Sequence, residues 1–244
     1  MQPGGRPNFY GRRQGRRLRP GRRGLLAQRL PELTLTLPDG GAPLDPKACF
    51  AAAPAAVWLE IGFGGGEHLA AQAAAHPGIG LIGAEVFVNG IASLLDHLER
   101  GAIGNVRIFP DDARLLLPAL PAASLDRVFL LFPDPWPKAR HAARRFVGRP
   151  TLDELARTMR PGAELRIASD EPGYVAWTLQ QVLPHPAFAW TARRPGDWRV
   201  RPAGWPPTRY EQKALAAGRR PAYLTFERRA GAGRPPGPAA LEQP

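Results

Sequence analysis

The sequence predicts a doubly wound α/β fold, in which a twisted sheet carries helices on both faces. Two observations carry this prediction. Apolar runs with the length of buried strands alternate along the chain with segments of helical periodicity. The first run, residues 57–61, leads into a glycine-rich turn at residues 62–66 and an alanine-rich helix at residues 67–75. A strand, a glycine turn and a helix in this order are typical of the nucleotide-binding first unit of such a sheet.

The other elements follow from the same two patterns. Apolar runs predict further strands at residues 80–86, 106–109, 128–132, 164–168, 188–192 and 223–228. Helical spacing predicts helices at residues 87–100, 115–120, 151–159 and 174–183. Residues 30–56 are expected to be a link with a short helix that caps the sheet, and residues 196–213 to be irregular. We therefore place one folded domain at residues 30–229.

Composition and charge restrict the class of protein. The chain has 244 residues, one cysteine and no apolar run of membrane-spanning length, so we expect a cytoplasmic protein without a disulfide framework or a metal site. Its net charge of +12 indicates a polyanionic partner, although arginine is abundant throughout. Residues 1–29 hold nine arginines and no acid, which predicts a disordered tail that binds RNA without affecting the cofactor. Residues 230–244 are of low complexity and are also expected to be disordered.

The glycine turn favours a cofactor that carries positive charge. Glu60 precedes Gly62 and Gly64 in an E-x-G-x-G-x-G pattern. A dinucleotide fingerprint would need a third glycine where Glu67 stands, and no G-K-[ST] of a phosphate-binding loop follows. S-adenosylmethionine fits, because it has an ammonium and a sulfonium group.

Two further acids follow the next two strands. Glu85 ends the second strand, at the distance from the glycines where an acid accepts hydrogen bonds from both ribose hydroxyls. Asp112 follows the third strand, where an acid can accept from an adenine amino group; the alternative is an ordinary helix N-cap. Together with Glu60 these residues predict a pocket for an adenosine-containing cofactor.

The stretch L-L-F-P-D-P-W-P-K-A-R-H-A-A-R-R, residues 130–145, is the most informative in the chain. Its prolines exclude a helix and hold Asp134 in an extended turn at the carboxyl end of a strand. Trp136 offers a flat apolar face beside that acid, and a basic cluster follows at once: Lys138, Arg140, His141, Arg144 and Arg145. An acid, an aromatic plane and cations together favour a nucleic-acid base held near a reacting group, with phosphates bound nearby.

These motifs resemble the tRNA (guanine-N7)-methyltransferases of bacteria. The resemblance rests on F-P-D-P-W-P-K-x-R-H-x-x-R-R, on L-E-I-G-F-G-x-G and on T-R-Y-E at residues 208–211. It implies a class I methyltransferase (Rossmann-like) fold, with a seven-stranded, mostly parallel sheet whose last strand is antiparallel. It also implies methylation of a guanosine in the variable loop of tRNA, at about position 46 in tRNA numbering, with S-adenosylmethionine as donor.

The resemblance also implies roles for particular residues. It assigns cofactor binding to Glu60, Gly62, Gly64, Glu85, Asp112 and Asp134, with Asp134 also the candidate catalytic residue. It assigns substrate binding to Lys138, Asp170, Thr208, Arg209, Tyr210 and Glu211, and RNA contact to Arg140, His141, Arg144 and Arg145. Ala142 and Ala143 depart from the family, which commonly has a polar or basic pair there. Neither the resemblance nor the residues decide between a monomer and a homodimer.

Guanine N7 carries a free lone pair, so its methylation needs alignment and charge placement rather than a general base. Asp134 and Asp170 are the candidates for that charge, and their roles are interchangeable at this stage. Trp136 or Tyr210 is expected to stack on the base. Two alternatives remain. One is an amino-methyltransferase, although the order here is P-D-P-W-P rather than D-P-P-W. The other is a non-catalytic RNA-binding protein with a relic pocket, which the retention of all four acids disfavours.

Overall fold

The structure is a computed structural model that describes residues 11–231. Seven strands form one sheet in the order β3-β2-β1-β4-β5-β7-β6. The strands are β1 (Ala56–Ile61), β2 (Ile79–Ala84), β3 (Val106–Phe109), β4 (Leu125–Leu131), β5 (Met159–Ser169), β6 (Phe188–Trp190) and β7 (Ala222–Arg228). The first five are parallel to their neighbours, whereas β7 is antiparallel to both β5 and β6. This arrangement confirms the predicted seven-stranded, mostly parallel sheet.

Helices cover both faces of the sheet. They are α1 (Pro20–Gln28), α2 (Leu30–Leu33), α3 (Glu67–Ala75), α4 (Val88–Arg100), α5 (Ala113–Leu116), α6 (Arg149–Thr158), α7 (Pro172–Val182), α8 (Gly196–Arg199) and α9 (Arg209–Ala216). Apolar side chains of α3 and α4 pack on one face, and those of α5, α6 and α7 pack on the other. Because side chains alternate along a strand, Leu59 faces one of these cores and Trp58 faces the other.

The N-terminal segment differs from the prediction. Residues 1–29 were expected to form a disordered tail, but α1 is a helix packed along α4. Its Leu25 and Leu26 join the core, and its Arg22 pairs with Asp96 of α4 at 3.4 Å. The arginine-rich composition conceals this short apolar face, which is why composition alone predicted disorder. Residues 1–10 and 232–244, which carry the rest of the two predicted tails, lie outside the described residues.

The region between β6 and β7 was expected to be irregular, and it contains two helices. The second of these, α9, begins directly after Thr208, whose side chain accepts a hydrogen bond from the backbone N–H of Glu211. The sequence T-R-Y-E therefore also acts as a helix-capping sequence. Strand β5 is longer than predicted, because it already begins at Met159 and passes Gly162 with φ of 80°.

Candidate active site at the carboxyl edge of the sheet

A cavity of about 390 Å³ opens at the carboxyl ends of β1, β2 and β4. In the sheet order the chain direction reverses beside β1, and ligands of open α/β sheets bind at such a point. The cavity is lined by residues from four predicted motifs, which the fold brings together: Gly62, Gly64, Glu85, Asp112, Asp134, Trp136, Arg144 and Tyr210. Its size and polar lining suit a small molecule bound beside a second ligand.

The glycine turn gives this cavity an open floor. Gly62 has a φ of 67°, and a Cβ added to it would meet no atom within 4 Å. Gly64 also has a positive φ, of 56°, and a Cβ added there would lie 2.8 Å from the ring of Tyr210. The turn therefore needs glycine twice, at Gly62 for its backbone conformation and at Gly64 also for close packing. A ligand can approach the backbone of this turn directly.

Glu85 connects the glycine turn to the end of β2. Its Oε2 accepts a hydrogen bond from Gly64 N at 2.8 Å, and its Oε1 accepts from Val86 N at 2.8 Å and Phe87 N at 2.9 Å. Burial raises the pKa of this carboxyl, and the three backbone donors oppose that effect. A carboxylate has about four acceptor positions, so these bonds leave about one for a ligand hydroxyl. The predicted pairing with two ribose hydroxyls would therefore share that position.

Asp112 lies on the cavity wall and is also the N-cap of α5. It accepts from Arg114 N at 2.9 Å and pairs with the Arg114 guanidinium at 2.6 Å. The alternative interpretation as a helix cap is thus confirmed. It does not conflict with a cofactor role, because the same carboxylate lines the cavity.

Glu60 lies on the other side of the glycine turn. It is 2% exposed and is not among the residues that line the cavity. Its carboxylate instead contacts His68 Nδ1 of α3 at 2.7 Å, and the His68 ring packs edge-on against Phe129 and Trp205. The geometry therefore separates Glu60 from the other three predicted cofactor acids.

The P-D-P-W stretch forms a tight turn whose residues Phe132 and Trp136 have φ of 52° and 41°. Such values are unusual for bulky residues and indicate a backbone held by its surroundings. One restraint is the hydrogen bond from Phe132 N to Ala168 O, at 2.8 Å. Asp134 is exposed to the open cavity, yet the surrounding protein desolvates it enough to raise its pKa.

The basic cluster folds around Trp136. The Arg144 guanidinium lies over its ring at 4.9 Å, and Arg145 donates to the carbonyls of Pro135 and Trp136 at 3.0 and 3.1 Å. Lys138 and Arg140 are exposed on the same segment. Partial desolvation, together with the charges of Arg144 and Lys138, lowers the pKa of the exposed His141. The arginines therefore hold the turn in shape as well as providing charge for a partner.

The four residues of T-R-Y-E have different positions. Tyr210 is half exposed in the cavity; burial first, and then the charges of Glu85 and Asp134, raise its pKa, so its hydroxyl stays protonated. Arg209 faces a neighbouring groove, whereas Thr208 and Glu211 are buried. Glu211 accepts from the Tyr223 hydroxyl. The structure thus places one of the four in the cavity and uses two as anchors.

Asp170 is not brought into the cavity wall. It follows β5, as predicted, but its carboxylate pairs with Arg219 Nε at 2.6 Å. Of the two acids expected to act on the base, the structure places Asp134 in the cavity and Asp170 outside its lining.

Two features were not found from the sequence. Gly11 and Arg12 of the N-terminal segment line the cavity. Next to it lies a groove of about 1050 Å³, which shares Gly64, Phe87 and Tyr210 with the cavity. This arginine groove is lined by six arginines: Arg16, Arg17, Arg19, Arg22, Arg100 and Arg209. Asn89 of α4 fixes its wall, accepting from Gly15 N and donating to Arg16 O, both at 2.7 Å. No sequence pattern connects residues so far apart.

Two other searches concern residues 11–231 only. None of their helices is long and apolar enough to cross a membrane. They contain no cluster of three or more His, Cys, Asp or Glu side chains that could hold a metal ion.

The sheet order, the antiparallel β7 and the cavity at the carboxyl edge define a class I methyltransferase fold. A solved structure with this fold, described as the 16S rRNA methyltransferase KamB, superposes with a TM-score of 0.53 over 72% of this chain and 89% of that one, at 15% identity. A family model described as "Putative methyltransferase" matches residues 54–223.

Relatives of known name are much more similar in sequence. The tRNA (guanine-N(7)-)-methyltransferase of Rhodospirillum rubrum is 56% identical over 91% of this chain and 88% of its own length. The protein of the same name from Paramagnetospirillum magneticum is 55% identical over 92% of this chain and 94% of its own length. The chain belongs to the family of tRNA (guanine-N(7)-)-methyltransferases.

Proposed function

We propose that the protein transfers the methyl group of S-adenosylmethionine to N7 of a guanosine in the variable loop of tRNA, at about position 46 in tRNA numbering. The observation that carries this proposal is the cavity that places Asp134, Trp136 and Tyr210 beside the glycine turn and Glu85. A cofactor pocket and a base-binding site thus share one space, and the relatives named above act on this atom of tRNA by name.

The residues present fit S-adenosylmethionine. The backbone at Gly62 is open to the cavity, Glu85 has acceptor capacity left, and Asp112 adds a second buried acid. When bound, this cofactor supplies a methyl group whose bond to sulfur breaks with both electrons staying on sulfur, while the N7 lone pair forms the new bond. We assign cofactor binding to Gly62, Gly64, Glu85 and Asp112. Glu60 supports the site from behind the turn.

The work of the protein residues is orientation and charge placement. Methylation at N7 needs no general base, because the lone pair is free, but it leaves the purine positively charged. Asp134 offers a carboxylate to the N1–H and amino edge of guanine, whose hydrogen bonds strengthen as that charge develops. Trp136 and Tyr210 both lie in the cavity and offer planes on which the base stacks.

The arginine groove provides a path for the tRNA backbone. Its six arginines reach the mouth of the cavity at Tyr210, and Asp96 is already paired with Arg22 and Arg100. Lys138 and Arg140 lie exposed on the segment beyond Trp136. Cations from both the groove and that segment therefore flank the place where the target nucleotide enters, which suits a strand held by its phosphates. Asp170 and Arg219 form an ion pair outside the cavity lining, and we propose that they assist substrate binding rather than methyl transfer.

The proposal is tested by incubating the protein with labelled cofactor and two tRNA transcripts, followed by nucleoside mass spectrometry. One transcript carries guanosine at about position 46, and the other carries adenosine there. We expect N7-methylguanosine in the first transcript and no label in the second. An exocyclic N-methyl base would instead support an amino-methyltransferase, and label elsewhere in the tRNA would refute the site.

A further inference from the structure

A cluster of buried residues behind the glycine turn takes no part in the cavity. Trp205 is its centre: 7% exposed, it packs edge-on against His68, Phe129 and Tyr223, with ring centroids 5.9 to 6.2 Å apart. The guanidinium of Arg166 lies 5.5 Å from the same ring. Trp205 belongs to the segment that leads into α9, so this segment is fixed to the sheet by an aromatic anchor.

The same segment is tied to the unit that carries the glycine turn. Gln72 of α3 donates to Gly204 O at 3.1 Å, and His68 of α3 is itself held by Glu60 of β1. At its far end the segment carries Tyr210, whose ring packs on Gly64. The strand, turn and helix of the cofactor site therefore contact the segment behind the turn and above it.

A third tie fixes the start of α9. Glu211, 3% exposed, accepts from the Tyr223 hydroxyl and lies 3.6 Å from Arg201 Nε. Arg201 also donates to Trp205 O at 3.2 Å. Tyr223 contacts both Trp205 and Glu211, so the anchor and the helix share one support.

We propose that Trp205 is a positioning residue for methyl transfer: through the Glu60–His68 pair on one side and Tyr223 on the other, it holds Tyr210 over the glycine turn. This inference rests on the function proposed above and deepens it. It gives Glu60 and His68 a role that does not require contact with the cofactor. The effect of Trp205 on the reaction passes through Tyr210, because Tyr210 is the residue of this segment that lies in the cavity.

The test is a double-mutant cycle on Trp205→Ala and Tyr210→Ala, read as the single-turnover rate of N7 methylation at saturating cofactor and tRNA. A displaced positioning group costs up to about 100-fold in rate, so we expect each single variant to lose about 10- to 100-fold. We expect the double variant to lose no more than Tyr210→Ala alone, because the two residues act in series. Multiplicative losses would overturn the proposal.

Two further variants guard against a simple loss of folding. Trp205→Phe should restore most of the rate, since the indole Nε1 has no hydrogen-bond partner within residues 11–231 and the ring contacts are kept. Gln72→Met removes the bond to Gly204 O at nearly constant volume and should lower the rate without lowering cofactor affinity. A rate equal to wild type in Gln72→Met, or no rescue by Trp205→Phe, would contradict the assignment.

The matched control is Trp198→Ala. Trp198 is also partly buried, but it packs against the core on the opposite face of the sheet. We expect this variant to be less stable than wild type and to keep its rate at saturating substrates. An equal loss of rate in Trp198→Ala would show that the loss in Trp205→Ala reports stability alone. If wild-type protein forms no N7-methylguanosine, the proposed function fails first, and that outcome is separate from all of these.

Discussion

The two sides of the glycine turn use acidic residues in opposite ways. On the cavity side, Glu85 accepts three backbone hydrogen bonds and keeps one face towards open space. On the inner side, Glu60 contacts one imidazole and is enclosed by aromatic rings. Both are buried, at 9% and 2% exposure. Burial of an acid therefore does not identify a ligand contact; the partners and the adjoining space do.

The largest effect is expected from Asp134→Asn, a change on the cavity side that keeps size and removes charge. Loss of one group that stabilises charge in a transition state typically costs about 100- to 1000-fold in rate. We expect a loss of this order in single-turnover transfer, with tRNA affinity near that of wild type. Stopped-sample nucleoside analysis at saturating cofactor and tRNA measures it.

Asp170→Asn is the matched variant, because Asp170 also follows a central strand but pairs with Arg219 outside the cavity lining. We expect a smaller loss of rate than for Asp134→Asn. A wild-type rate in Asp134→Asn would remove the charge-placement mechanism, and a greater loss in Asp170→Asn would reverse the roles given to the two acids.

Removal of residues 1–19 should affect both ligands. It deletes Gly11 and Arg12 from the cavity wall and Arg16, Arg17 and Arg19 from the arginine groove. We expect weaker tRNA binding, a flatter dependence of affinity on salt by about 0.7 for each lost phosphate contact on a single strand, and weaker cofactor binding. The sequence alone predicted an effect on RNA only.

A full-length variant with Arg16→Gln and Arg17→Gln separates the two effects. It keeps the cavity wall and loses charge in the groove, so we expect a flatter salt dependence with wild-type cofactor affinity. Fluorescence anisotropy with labelled tRNA over a salt series, and calorimetry with S-adenosylhomocysteine, provide the two readings. An unchanged salt slope in both proteins would show that the groove does not bind tRNA.

A smaller effect is expected from pH. Desolvation raises the pKa of Asp134, so this carboxyl takes up a proton at a higher pH than an ordinary aspartate does. If its charged form is required, the single-turnover rate should be constant above that raised pKa and fall as pH decreases through it. The profile of Asp134→Asn should lack this acidic limb. The same limb in the variant would assign the titration to another group.

The sequence predicted the parts of the fold that depend on hydrophobic periodicity. Strand β1, the glycine turn and α3 occur where the apolar run and the alanine-rich segment indicate, because burial of these side chains determines local structure. Helix α1 was missed, since Leu25 and Leu26 are surrounded by arginines and their partner, α4, is distant in the chain. Helix α9 was missed because T-R-Y-E was interpreted as a motif, although its first and last residues are also a capping pair.

The candidate site was predictable in its membership more than in its arrangement. Strand ends predicted that Glu85, Asp112 and Asp134 would meet, because the carboxyl ends of parallel strands share one edge of the sheet. Period-two alternation places Glu60 on the face of Trp58, but the sequence does not state which face borders the cavity. The contacts between Trp205, His68 and Tyr223 depend on chain folding over long separations, which no local pattern encodes.

The division between the two sides is tested most directly by calorimetric titration of S-adenosylhomocysteine into Glu85→Gln and Glu60→Gln, prepared and measured in parallel. Glu85→Gln loses the charge that accepts both backbone N–H groups and the ligand, and we expect its affinity to fall by about 1–3 kcal/mol. Glu60→Gln retains an oxygen that can accept from His68, so its affinity should stay near that of wild type. Equal losses in the two variants, or a greater loss in Glu60→Gln, would contradict the account and return Glu60 to the cofactor site.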